Sequence, residues 1–310
     1  MTGNRRAIST VVDVTLGLLV IVAAMGLLVT LTETKSADHN PTDAAYAAQT
    51  VTGSTVNTTY SLAPAIEHYF SEYRKGKNPY EGEELDRVSQ GPVATQVADL
   101  AVATAAVDGK QFSAATTAYK KALEETLWTR LRGSRFDLSV TAHWQPVKGV
   151  PLQGTVTLGE RPPSDADVSA TTFTVPSGVP DARQNALDAV DGPDDYRAVA
   201  RVVANATVEG LFSPLETQRA LERTGVNSHL TRYRYERLTS ALDGDPERFE
   251  RRGWLSPSSA NATAANAYLS RRLTAVLETQ LEETHASAVD AARTVSTGTV
   301  TITVRTWTHE

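Results

Sequence analysis

The side chains best suited to acid–base or metal chemistry near neutral pH are six histidines: His39, His68, His143, His229, His285 and His309. No two stand at a ligand spacing, and none sits in an H-E-x-x-H pattern. Asp188, Asp191, Asp194 and Asp195, around Gly192-Pro193, offer oxygens suited to Ca²⁺ but miss the EF-hand spacing. An acid-rich surface produces such clusters without a metal. A G-x-S-x-G elbow, a P-loop and a G-x-G-x-x-G turn are also missing. With no cysteine in 310 residues, thiolate nucleophiles, Cys-ligated metals and disulfide scaffolds are excluded. The residues therefore read as those of a non-enzyme with no cofactor and no metal site.

One segment concentrates charge and aromatic rings: Arg232-Tyr233-Arg234-Tyr235-Glu236-Arg237, followed by Arg248, Arg251 and Arg252. Arginine on phosphates and tyrosine stacked on bases would make a nucleic-acid platform. Glu222, Glu236, Glu247 and Glu250 are interleaved with it, which points to a salt-bridged helix face or a protein contact, and to no nucleic acid. Three Asn-x-Ser/Thr sequons, at Asn57, Asn205 and Asn261, could carry N-glycans if the chain is exported.

Export is what the N-terminus implies. Val14 to Thr32 is an uncharged run of Val, Leu, Ile, Ala and Gly with a few Thr, long enough at 1.5 Å per residue to span roughly 28 Å of hydrocarbon. Arg5 and Arg6 precede it; Glu33, Lys35, Asp38 and Asp43 follow, so the N-terminus is expected in the cytoplasm and the C-terminal body outside. A cleaved secretory signal competes with an uncleaved anchor, but the run exceeds a usual h-region and no clear A-x-A site follows. Ala7-Ile8-Ser9-Thr10 matches a twin-arginine signal poorly. The expected organisation is an anchor over 1–35, held in the membrane by residues 14–32, and an extracytoplasmic domain over 36–310.

The stretch Arg5-Arg6-Ala7-Ile8-Ser9-Thr10-Val11-Val12-Asp13 resembles the N-terminus of haloarchaeal type IV pilin-like proteins. That resemblance covers about the first 25 residues. It implies cleavage between Ala7 and Ile8 by a dedicated peptidase, with the apolar helix left attached and used for packing against like subunits or assembly machinery. Thr10 stands where the pattern often has Pro. Asp13 is either an acid that meets a partner's α-amine inside lipid or an interfacial acid without a role. The net charge of −6 and a basic set dominated by Arg fit a halophilic archaeal source, and equally a GC-rich genome.

The body reads as α+β, long helices packed on a small antiparallel sheet. Residues 36–45 read as a neck, 49–62 as a Thr/Val-rich strand and 92–107 as a helix. A second helix, with Phe112, Tyr119, Leu123, Leu127 and Leu131 at helical spacing, ends at Gly133. Leu138, Val140, Ala142 and Trp144 alternate as a strand. The Gly/Pro-rich patch 147–163 is a hairpin or irregular, 168–175 a strand, and 197–224, 228–242 and 259–292 helices. Val300, Ile302 and Val304 alternate up to Trp307, so helix followed by a Trp-ended strand occurs twice. The expectation is a membrane-anchored, pilin-like subunit or accessory component of a surface appendage or secretion system, with a signal-anchored extracytoplasmic binding protein or enzyme as the alternative.

Overall fold

A computed structural model describes residues 41–107, 109–112, 116–131 and 136–308. Arg5, Arg6, Ala7, Ile8 and Asp13, the expected anchor over 14–32, His39, Gly133 and His309 lie outside them. Among the described residues no helix is long and apolar enough to cross a membrane.

The body is α+β. Its centre is a four-stranded antiparallel sheet in the order β6-β5-β8-β7: β5 is Asp137–Trp144, β6 Gly154–Gly159, β7 Val168–Pro176 and β8 Thr299–Trp307. Period-two alternation gives it two unlike faces. Leu138, Val140, Ala142, Trp144, Val156, Leu158, Val300, Ile302 and Val304 are all buried on one side. On the other side Thr157, Thr141, Thr303 and Thr172 stand in register across all four strands, and Thr155, His143, Thr301 and Thr174 form the adjacent row. Hydroxyl contacts of 3.2 Å (Thr141–Thr157) and 3.1 Å (Thr172–Thr303) tie that outer face together.

Two helices cover the apolar face: α1 (Pro41–Gly53) lies over β7 and β8, and α3 (Val93–Ala103) over all four strands. α3 comes so close that a Cβ on Gly154 would stand 1.9 Å from the Ala101 carbonyl oxygen, so the approach requires glycine. Between these helices β1 (Thr55–Ser61) runs into α2 (Ala63–His68) and a π-turn (Tyr69–Tyr73); β2 (Asp86–Pro92) then returns to pair with β1 as a ribbon. A two-residue pair, β3 (Ala106–Val107) with β4 (Lys110–Gln111), leads to α4 (Thr116–Arg130), which packs on β1 and α3. The rest is helical: α5 (Arg183–Ala189), α6 (Tyr196–Leu211), α7 (Pro214–Glu222), α8 (Val226–Ala241), α9 (Glu247–Arg252), α10 (Ala262–Thr284) and α11 (Ala288–Arg293). α6 and α10 pack side by side along their length.

Several boundaries differ from the sequence reading. Residues 41–45 of the expected neck and 49–53 of the expected strand form α1, because Ala44, Ala47, Ala48 and Val51 bury at i, i+3, i+4 and i+7. The Thr hydroxyls there bond back to the helix: Thr50 Oγ1 donates to Tyr46 O and Thr52 Oγ1 to Ala48 O. The helix expected over 92–107 stops at Ala103, and 106–107 is β3. The helix over 197–224 is two, broken where Pro214 opens α7 without an N–H to continue α6. The helix over 259–292 is also two: His285 is extended, and the Ser287 hydroxyl caps α11 by accepting from Asp290 N at 3.1 Å. The patch 147–163 contains an edge strand, β6.

Because Ile302 sits fully buried in the central strand between Ala142 and Phe173, while its neighbour Thr301 is exposed, the two positions give a matched test. Ile302→Asp should abolish the cooperative thermal transition, losing the ~1.5–3 kcal/mol of side-chain burial and adding an unpaired interior charge. Thr301→Asp should shift the melting temperature by a few degrees at most. Equal effects on circular-dichroism melts would overturn this assignment of faces.

Candidate functional site

The structure places the sequence-flagged residues apart from one another. Asp195 is the N-cap of α6, accepting from Ala198 N, and Asp188 accepts from Gln184 Nε2 at 2.8 Å. Among the described residues no three His, Asp or Glu side chains gather as a metal site. His68 faces Tyr233 and Arg237, His143 bonds Thr155, His229 bonds the Tyr80 hydroxyl at 2.9 Å, and His285 sits between Thr284 and Thr294. Asn57 is exposed on β1, and Asn261 is exposed with its Oδ1 capping α10 at Ala264 N. Asn205 is exposed on α6, but Thr207, which completes its sequon, is fully buried.

The basic–aromatic segment forms α8, and its rings point inward. Tyr233 and Tyr235 are both fully buried and so cannot present a stacking surface to bases. Arg74 reaches in from the π-turn to bond Glu236 and Glu250 at 3.0 Å each, and also the Tyr69 hydroxyl. Glu236 is buried with one carboxylate oxygen unpartnered. Burial pushes its pKa up to about 7, against the opposing pull of the Arg74 cation.

One of the α8 arginines, Arg234, borders a cleft. Arg234 donates to the Leu211 carbonyl at 2.9 Å and lies 5.1 Å over the Phe212 ring; among the described residues no carboxylate pairs with it. Burial pulls its pKa down, although a guanidinium remains charged. Arg234 lines a cleft of about 300 Å³, at the lower end of small-molecule pockets. One wall is helical: Leu211, Phe212, Leu230, Arg234 and Leu238. The other is built by the β1–β2 ribbon, α3 and α4, through Tyr60, Ser89, Asp99, Phe112, Thr116 and Tyr119.

The polar groups of this second wall are fixed from behind. Gln96, 1% exposed, donates to Val56 O and Gly91 O, and its Oε1 lies 3.1 Å from the Tyr119 hydroxyl, which is also 3.1 Å from Ser89 Oγ. Tyr60 and Tyr119 lie ring against ring, centroids 4.6 Å apart. Burial pushes Tyr119 up to about 12, and the Asp99 charge adds to that rise. Asp99, which has no ion-pair partner among the described residues, is raised by the desolvating walls. The cleft thus presents one cation, one anion, four hydroxyls and an apolar lining, a set suited to binding. Sequence reading singled out Arg234 only as part of a basic run. Tyr119 read only as part of a helix face, and Tyr60 and Asp99 carried no local signal, since these residues meet across long sequence separations.

Because Glu236 binds its proton more tightly in the fold than in the open chain, it stabilises the protein at acid pH and loses that contribution as pH rises. The loss should fall between about pH 4.5 and 7 and amount to on the order of 3 kcal/mol. Glu236→Gln should flatten the stability profile across that window in denaturant titrations at several pH values. A variant with the parent's slope would place the titration elsewhere.

A family model described as a family of unknown function (DUF7284) matches residues 12–307. No curated protein and no solved structure matches the chain. Since that model spans nearly all of the sequence, the chain belongs to the DUF7284 family.

Proposed function

We propose that this protein is a membrane-anchored, pilin-like subunit or accessory component of an archaeal surface appendage or secretion system. Residues 14–32 would lie in the cell membrane, the N-terminus in the cytoplasm and the body outside. The observation that carries the reading is how little chain separates the apolar run from the head. α1 begins at Pro41 and is clamped onto the sheet by Ala44, Ala47, Ala48 and Val51, so only residues 33–40 join anchor to head. Such a short junction holds the head near the bilayer, as subunits packed through their N-terminal helices require.

The outer face of the sheet supports the same reading. In a chain of net charge −6 its two central rows carry seven Thr and one His, with Arg305 and Asp137 both toward one end, so two copies could approach there with little acidic repulsion. A second reading, a signal-anchored extracytoplasmic binding protein, is favoured by the Arg234 cleft.

The deciding measurement is the mature N-terminus of protein purified from membranes. A first peptide starting at Ile8, with processing blocked by substitutions at Arg6 or Ala7, is expected; an intact Met1 would leave the second reading. Asp13→Ala should insert normally yet lose self-association in membrane crosslinking. Unchanged crosslinking would make Asp13 a bystander.

If the host glycosylates exported chains, glycopeptide mass spectrometry should find sugar at Asn57 and Asn261. Asn205 should remain bare wherever modification follows folding, because the buried Thr207 hydroxyl cannot be read there. Modification at Asn205 alone would overturn that ordering.

A further inference from the structure

We propose that the cleft around Arg234 binds a small zwitterion of the α-amino acid class with an apolar side chain, its carboxylate on Arg234 and its ammonium beside Asp99. The inference rests on the binding-protein reading and names its ligand.

The two charges sit on different walls, Arg234 on α8 and Asp99 on α3, and neither has an ion-pair partner among the described residues. Tyr60, Tyr119, Arg234 and Asp99 all line the one cleft. Tyr60 and Tyr119 are themselves in ring contact at 4.6 Å. The tyrosine pair therefore shares its cleft with two opposite charges, carried on different walls. A ligand resting on it would meet a cation at one end and an anion at the other.

Each candidate ligand class meets this arrangement differently. A plain carboxylate satisfies Arg234 and leaves Asp99 without a partner. A phosphate or dicarboxylate brings additional negative charge toward Asp99. An amine alone leaves the guanidinium desolvated and bonded only to Leu211 O. A zwitterion compensates both, through a charge-assisted bond to the guanidinium and an ion pair with the carboxylate. Leu62, Phe112, Leu211, Leu230 and Leu238 supply the apolar surface for a side chain, and about 300 Å³ limits the ligand to something small.

Isothermal titration of the full-length chain in detergent tests this with L-leucine, 4-methylpentanoate, which lacks the amine, and 3-methylbutylamine, which lacks the carboxylate. Leucine should bind one per chain, and each single-charge analogue at least about tenfold more weakly. Asp99→Asn alters an exposed side chain and should leave folding intact. It should bring leucine and 4-methylpentanoate to equal affinity. Arg234→Gln, with its fold checked by circular dichroism, should lose both. Equal binding of leucine and 4-methylpentanoate by the parent chain would overturn the zwitterion while leaving a binding cleft in place. No binding of any of the three at millimolar concentration would overturn the binding-protein reading with it.

Discussion

The architecture depends on where the C-terminal strand goes. β8 enters between β5 and β7, so both neighbours take their backbone partners from residues 299–307, and the chain's last segment completes the sheet's middle rather than its edge. Until β8 is placed, β5 holds only β6 and β7 holds nothing. Thr297, just ahead of the strand, fixes the entry. It is fully buried, its hydroxyl donates to Pro180 O at 2.7 Å and accepts from Ala182 N at 2.9 Å, and its carbonyl accepts from Trp144 Nε1 and Ser177 Oγ. Four contacts on one buried residue tie β5, the end of β7 and the α5 entry to the start of β8. Long-range pairing of this kind carries a large loop-closure cost, which the burial around β8 must offset.

With the sheet closed, its unlike faces decide the rest. The Val/Leu/Ile face must be covered, and α1 and α3 cover it; Gly154 lets α3 approach to backbone contact. The Thr face needs no cover, because its hydroxyls satisfy one another in cross-strand pairs and are solvated besides. The helical half meets the rest where α8 packs on α2, the π-turn and β4, and leaves the cleft between α8 and the wall that includes the β1–β2 ribbon.

The charge pattern of that cleft follows from a division of labour along α8. Glu236 is taken by Arg74, which arrives from a π-turn far away in sequence, while Arg237 bonds Gln111 O. Tyr233 and Tyr235 fill the interior, the latter stacked on Phe212 at 4.1 Å. Arg234, between the two buried tyrosines in sequence, borders a cleft whose other wall offers hydroxyls and a single carboxylate, Asp99. An interleaved charge run on paper has become a Glu236–Arg74 pair and an arginine, Arg234, that faces the cleft.

The sequence by itself determined the α+β class, the faces of β5 and β8, and the strand at 168–175, because alternation of apolar and polar residues is a local consequence of a pleated chain with one buried side. Leu138 to Trp144 and Val300 to Val304 could be read that way without any partner in view. It did not determine the helix at 41–53, where Thr50 and Thr52 read as strand formers. The packing of Ala44, Ala47, Ala48 and Val51 on a sheet assembled from residues 90 to 260 positions later overrode that propensity. Nor could it show that β8 is central, that Tyr233 and Tyr235 face inward, or that Tyr60, Asp99, Tyr119 and Arg234 share a cleft. Those facts depend on distances between residues far apart in the chain, which no local pattern encodes. Only the closure of the tertiary fold, with its demand that apolar surface be buried and most interior charges paired, decides them.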